Sequence, residues 1–289
     1  MSIIRKMSEK IKVICIDSFK PEYLKYAPYL SSLTKSYQHG ELETSLGFEG
    51  QMEEFFTGQA TKLAMYYKNE NSSLKWTKNF SFIGKYALNI LINLHRLFKN
   101  KRRLIFTHNI PLSKLHYFDT SVDYEPTQYT NIKYKHIGLD LDRTAHEYGT
   151  KSIETIMCIR KIDDWLKTQN FDIVMSDHGM TDIKETITLP ETEVCFIDST
   201  MARYWGDSPK LPLNKGRIIK SDPKYGETVF LVDPGILILP NYWQKNQVKA
   251  MHGYDPRHPD MKAFYLIKKE GNRKDLTMKQ LHNLVFKSD

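Results

Sequence analysis

The sequence predicts an α/β fold: a mainly parallel central sheet with helices on both faces and a small inserted cap. Three observations predict it. Two short apolar runs rich in β-branched residues, Lys12–Ile16 (KVICI) and Phe171–Met175 (FDIVM), read as buried strands. Between them Ser152–Lys167 carries Ile153, Ile156, Ile159, Ile162 and Leu166 at three- and four-residue steps, the period of a helix with one apolar face. The later chain adds four more strand-like runs, at 194–198, 228–233, 236–239 and 263–267. Strands that are apolar throughout, in a strand–helix–strand order, belong in a sheet covered on both sides.

The elements follow in order. Asp17 ends the first strand and sets a carboxylate at its C-terminal tip. Pro21–Lys35 reads as helical pieces broken at Pro28, because a proline inside a helix removes a hydrogen bond. After Gly47 the segment EGQMEEFFTG reads as a short helix ending at Gly58. Residues 62–126 are basic, aromatic and poor in acid, and include the largely apolar Phe82–Phe98 followed by KNKRR. They read as a cap inserted into a single domain of residues 1–289. His136–Asp142 (HIGLDLD) returns to strand character. Ser152 is placed to cap the next helix, with Glu154 in its first turn.

A chain of 289 residues, 40% of them hydrophobic, can bury one sizeable core, which excludes disordered and fibrous classes. The net charge of +8 favours anionic partners: nucleic acid, an anionic membrane or an anionic substrate. KNKRR reads as a solvated charge run before it reads as a membrane or nucleic-acid contact, so no specific nucleic acid is expected and peripheral membrane contact is the weaker reading. Cys15, Cys158 and Cys195 lie far apart and suit free thiols in a reducing compartment. The first residues do not form a signal peptide, and no apolar run reaches the roughly 18 residues of a membrane span. A cytoplasmic protein is the expectation. No pattern in the sequence sets an oligomeric state.

In open α/β sheets ligands bind beyond the carboxyl ends of the strands. Asp17, Asp142 and the pair Asp177–His178 all fall at that end of expected strands. In DRTAH, Asp142 and His146 stand four apart, on one face of a helical turn. SDHG sets Asp177 and His178 side by side after an apolar strand, where they can bracket one ion or face two. His252, in HGYD, precedes a glycine that lets the backbone pass close to a site. Carboxylates and neutral imidazoles are the donors that divalent ions want. Taken singly, D-x-x-x-H is common on solvated helix faces and a lone histidine is ordinarily structural. Three segments delivering such groups to one sheet edge favour a metal site. Two ions roughly 3.5–4 Å apart are a known solution to phosphate-ester hydrolysis.

These pieces resemble the alkaline phosphatase superfamily, and within it the nucleotide pyrophosphatase/phosphodiesterase branch. The matching segments are ICIDSF near the start, FFTG at 55–58, LDRTAHEYG at 141–149, VMSDHGM at 174–180 and MHGYDP at 251–256. They span nearly the whole chain in the family's order. The resemblance implies an alkaline-phosphatase-like fold and two divalent ions, usually zinc, with manganese as the alternative. It implies Asp17, Asp177 and His178 on one ion, and Asp142, His146 and His252 on the other. It also implies a two-metal hydrolase of small anionic phosphate esters, of phosphodiesterase or nucleotide pyrophosphatase type.

Two departures stand out. The family places a Thr or Ser nucleophile about two helical turns before the TG motif. That position falls near Phe48 or Glu49, and neither carries a hydroxyl. Thr44 and Ser45 lie a few residues earlier and would serve if the turn around Gly47 is bulged; Glu49 is a candidate base or extra ligand. The alternative is a catalytically degenerate relative that binds an anionic ligand or partner without turnover. A sulfatase ranks low, since no Cys or Ser stands at the position. Second, Phe118–Lys135 is short where relatives carry further strand and helix, so a trimmed sheet is expected there.

Other candidates keep two readings each. Arg203 suits a phosphate clamp or a structural salt bridge. Tyr66, Tyr67, Trp76 and Tyr86 suit base stacking or a cap core. His258 suits a solvent loop, and Asp140 the surroundings of the metal motif.

Overall fold

The computed structural model describes residues 10–47, 51–59, 66–72, 75–81, 83–88, 90–91, 111–120, 131–137 and 139–287. The chain forms two compact units. One comprises Met1–Thr61, Asp123–Lys184 and Val248–Asp289; the other comprises Lys62–Val122 and Glu185–Gln247. The second thus combines most of the basic 62–126 region with a later part of the chain. KNKRR and Glu49 lie outside the described residues.

The first unit is built on a six-stranded sheet in the order 276–277, 37–43, 263–270, 173–175, 11–16, 132–137. Ile11–Ile16 pairs in parallel with both Ile132–Ile137 and Ile173–Met175. Ala263–Glu270 runs antiparallel to both its neighbours, and Leu276–Thr277 runs parallel to Tyr37–Glu43. Five strands therefore point one way and one the other, so the sheet is mixed but mainly parallel. The strand 132–137 forms its edge.

Successive side chains of a strand point to opposite faces, and Ile11–Ile16 shows it. Val13 and Cys15 join one core with Met52, Phe55, Phe56, Leu281 and Val285, from the helices Gln51–Thr57 and Met278–Phe286. Ile14 and Ile16 join the other core with Tyr23, Leu30, Leu141, Ile159 and Leu166, from the opposite helical layer. Pro28 opens the helix Pro28–Leu33 directly after the 3-10 turn Pro21–Tyr26, the place in a helix where a proline lacks nothing. Ser152 caps Ile153–Leu166 by accepting the Thr155 N–H at 3.1 Å. Ile153 stays exposed, while Thr155 and Asp163 are buried in that helix.

One expectation fails. HIGLDLD is not a strand through to Asp142: the strand ends at Ile137 and a helix, Leu139–Tyr148, has begun by Leu139. Leu141 and Ala145, one turn apart, bury that helix's inner face, and Asp140 and Asp142 suit its first turn. Asp142 is a helical residue just past the strand end.

The second unit holds a four-stranded antiparallel sheet in the order 216–219, 228–232, 201–204, 195–197. Tyr66, Phe118, Phe196 and Trp205 form an aromatic core in it. Of the four later runs, those at 194–198 and 228–233 thus belong to this sheet, the one at 236–239 pairs in parallel with Glu185–Ile187, and the one at 263–267 joins the central sheet. No described helix is long and apolar enough to cross a membrane.

Candidate metal centre

Three adjacent parallel strands end at the site. Asp17 follows Ile16, Ser176–His178 follow Met175, and His136 is the penultimate residue of 132–137, in register with Cys15. The turn after Asp17 is tight. Ser18 takes φ 62°, in the left-handed region, and its N–H donates to Asp177 Oδ1 at 3.1 Å. The Phe19 N–H donates to Ser176 Oγ at 2.9 Å, and that hydroxyl donates to the His178 carbonyl at 2.9 Å. Gly179 has no room for a side chain: a Cβ there would lie 2.1 Å from the Asp260 carbonyl oxygen. Backbone packing thus fixes the direction in which Asp177 and His178 leave the strand.

His178 Nε2 lies 3.4 Å from Asp17 Oδ1 and 3.6 Å from Asp177 Oδ2. His146 Nε2 lies 3.3 Å from Asp142 Oδ2, and His252 Nε2 lies 3.9 Å from Asp142 Oδ1. The rings of His178 and His252 stack, and those of His146 and His252 lie 5.3 Å apart. The six expected ligands therefore converge in one unit, in two adjoining groups. Tetrahedral zinc, with bonds of about 2.0–2.2 Å, sets its donor atoms about 3.3–3.6 Å apart. Most of these separations match that edge, and all exceed a charge-assisted hydrogen bond of about 2.7–2.9 Å.

Two further observations fit cations. Asp17 Oδ1 and Asp142 Oδ1 are buried and have no hydrogen-bond partner, a costly state for a carboxylate that no cation faces. Moreover, His146 Nδ1 lies 2.7 Å from the Ala250 carbonyl oxygen and His178 Nδ1 lies 3.0 Å from that of Gly179. A carbonyl on Nδ1 makes Nδ1 the donor and turns Nε2 toward the carboxylates, the usual orientation of ligating histidines.

The electrostatics agree. Burial and the neighbouring Asp177 charge push Asp17 up to about 8. Burial opposes a charge on His178, yet Asp177 and Asp17 push it up to about 9. Burial, then the adjacent His178, drive His252 well down. Asp142 sits well below the ordinary carboxylate range: burial opposes this, but His146, His252 and His178 outweigh it. Positive charge is wanted on the Asp17–Asp177 side.

Thr44 is buried, and Ser45 Oγ is buried with no hydrogen-bond partner. Both follow the strand Tyr37–Glu43, and Gly47 beyond them takes φ 128° in a turn whose carbonyl accepts from Gln51 Nε2. The other candidates divide. Arg203 is completely buried in the second unit. It donates to the Tyr66 carbonyl at 2.6 Å, lies 3.8 Å from Asp198 Oδ2 and sits over the Phe196 ring, which is the salt-bridge reading. Tyr66 stacks on Phe196 in the core, whereas Trp76 and Tyr86 are more than half exposed. His258 Nδ1 accepts the Asp260 N–H and caps a 3-10 turn. Asp140 is exposed.

The sequence reading missed His136. Its Nε2 lies 3.6 Å from Asp17 Oδ2 and 3.8 Å from Asp177 Oδ2. The donor atoms of Cys15, His136 and Asp177 lie within 4.8 Å of one another, as do those of Asp17, Asp177 and His178 and those of Asp142, His178 and His252. Only the strand register brings His136 to Asp17, and sequence spacing does not carry it.

No protein-family model matches the sequence, and no curated protein matches it. Solved structures do. Murine ectonucleotide pyrophosphatase/phosphodiesterase 5 aligns with a TM-score of 0.63 at 17% identity, over 96% of this chain and 94% of that one. The human protein of the same name aligns with a TM-score of 0.63 at 16% identity, with the same coverage. An inactive threonine-to-alanine variant of the murine protein, in complex with AMP, aligns with a TM-score of 0.62 at 16% identity over 96% and 94%. The chain shares the fold of these ectonucleotide pyrophosphatase/phosphodiesterase structures, an alkaline-phosphatase-like α/β fold.

Proposed function

We propose that the protein is a two-metal hydrolase of phosphate esters, of phosphodiesterase or nucleotide pyrophosphatase type. Its substrate would be a small, nucleotide-like anion. The observation that carries this reading is the pair of adjoining ligand groups with their unpartnered buried oxygens, Asp17 Oδ1 and Asp142 Oδ1. The fold shared with a protein held in complex with AMP supports the substrate class.

Asp17, Asp177 and His178 would hold one ion, and Asp142, His146 and His252 the other. Zinc suits a donor set of carboxylate and imidazole. Such ions, when bound, would draw charge from the phosphoryl oxygens and acidify the attacking hydroxyl. The chain itself supplies orientation. The backbone N–H groups of Ser18 and His178 both occupy Asp177 Oδ1, which leaves Oδ2 to face the imidazoles. The carbonyls of Ala250 and Gly179 hold the rings of His146 and His178. Between the two hydroxyl candidates, Ser45 is favoured as nucleophile, since its buried Oγ has no hydrogen-bond partner.

A second reading, binding without turnover, is favoured by the missing hydroxyl at Phe48 and Glu49. Zinc-loaded protein assayed on aryl and nucleotide phosphodiesters separates them. Hydrolysis that Asp142→Asn abolishes supports the first. Two bound ions without turnover on any phosphate ester supports the second. A protein that binds no divalent ion at these residues overturns the two-ion reading.

A further inference from the structure

His136 approaches the carboxylates Asp17 and Asp177 from a different strand than His178 does, with the same atom and at nearly the same distances. Its Nε2 lies 3.6 Å from Asp17 and 3.8 Å from Asp177; for His178 the values are 3.4 and 3.6 Å. The two imidazoles divide the carboxylates between them. Asp17 turns Oδ1 to His178 and Oδ2 to His136, and Asp177 turns its Oδ2 to both. Both imidazoles thus reach the same two carboxylates, through three oxygens, at nitrogen–oxygen separations of 3.4–3.8 Å, close to the edge of a zinc tetrahedron of about 3.3–3.6 Å.

The placement follows from the sheet. In a parallel pair, residues in register point to the same face, and His136 is in register with Cys15. Asp17 lies two residues beyond Cys15 and shares its face. Side chains lean along the strand direction, which carries His136 forward to Asp17 and Asp177. Its strand is the sheet edge, so the ring is partly open to solvent, at 36% side-chain exposure, while Asp17 and His178 beneath it are at 10%.

We infer that His136 is a fourth protein ligand of the ion that Asp17, Asp177 and His178 would hold. This rests on the two-ion reading and extends it. That ion then has two carboxylate and two imidazole donors from three neighbouring strand ends and needs no hydroxyl from the Thr44–Glu49 segment to complete its set. The ion of Asp142, His146 and His252 keeps three protein donors, which is the pattern of a centre with an open position.

The test compares wild-type protein with His136→Ala, and with His146→Ala as the control for the other ion. Zinc stoichiometry and affinity are measured by competition with a chelating indicator. Cadmium-loaded wild type is read by scalar coupling between the metal and histidine ring nitrogens. The expected result is two ions in the wild type, coupling at the His136 ring, and a loss of affinity for one ion of about tenfold or more in His136→Ala. Equal melting of the metal-free proteins shows that the variant folds. Unchanged affinity for both ions, with no coupling to His136, overturns the inference and leaves the two-ion reading intact. A wild type that binds no ion overturns both.

Discussion

His178 and His252 stack with ring centroids 3.8 Å apart and planes 10° from parallel, one ring at each candidate ion site. Two stacked imidazoles cannot both carry a proton cheaply, and the carboxylates decide which one does. Burial opposes it, but Asp177 and Asp17 raise His178 to about 9, while burial and His178 together drive His252 down. The sign for the metal-free protein follows. A histidine raised from 6.5 to about 9 gives stability that is complete below 6.5 and fades as pH climbs through about 9. Asp17, raised from 3.8 to about 8 by burial and by Asp177, acts in the same direction, since the folded state holds its proton more tightly than the unfolded chain. Metal ions bound here would replace those protons. Melting temperatures with zinc and with a chelator should diverge as pH rises from 6.5 toward 9. Curves that stay parallel across that interval would count against ion binding at this cluster.

Gly179 offers a sharper handle on the same strand end. A Cβ there would meet three backbone atoms, of Asp260, Met261 and Lys262, the nearest at 2.1 Å, and backbone cannot swing aside as a side chain can. Gly179→Ala should cost about 1–3 kcal/mol in denaturant unfolding. Because His178 Nδ1 is oriented by the Gly179 carbonyl, the variant should also weaken zinc binding while still folding at low temperature. Full zinc affinity in a destabilised variant would show that the loop does not orient the ring.

Much of this candidate centre is legible in the sequence because its expected ligands lie in or directly after elements with strong patterns. KVICI and FDIVM are too apolar to be anything but buried, so Asp17 and Asp177–His178 had to stand at strand ends. Asp142 was read one element too early. GLDLD alternates like a strand, but Leu141 and Ala145 at a four-residue step belong to a helix that packs inward. His136 was not legible at all, because its approach to Asp17 depends on register with Cys15, more than a hundred residues away. The later strands Cys195–Ile197 and Thr228–Val232 looked like members of the central sheet, since pattern alone does not say which partner a strand will choose.

Arg203 and Asp198 give a prediction for the second unit. Both are buried, and Asp198 also accepts the Trp243 indole N–H. Asp198→Ala leaves a guanidinium in the aromatic core without its counter-charge, and should cost about 3–5 kcal/mol in urea unfolding. Combining it with Arg203→Met should recover much of that loss, because a buried pair replaced by apolar groups is often neutral. Zinc content should not change in either variant, as every expected ligand lies in the first unit. A double variant as unstable as the single one would mean that Arg203 matters chiefly for its bonds to the Tyr66 and Tyr225 carbonyls.

Ser45 separates an enzyme from a binding protein. Its Oγ is buried and has no hydrogen-bond partner, so Ser45→Ala removes no bond and should leave stability within about 0.5 kcal/mol. If His136 completes the set of Asp17, Asp177 and His178, the hydroxyl is also dispensable for holding that ion, and zinc stoichiometry should stay that of the wild type. If Ser45 is the attacking group, phosphodiester turnover should nonetheless fall by about a hundredfold or more. Thr44→Ala, one residue earlier, should retain turnover. The reverse pattern would assign the attack to Thr44. Turnover that survives both substitutions would remove side-chain hydroxyls of this segment from the chemistry and leave attack by water, oriented by the ion with only three protein ligands.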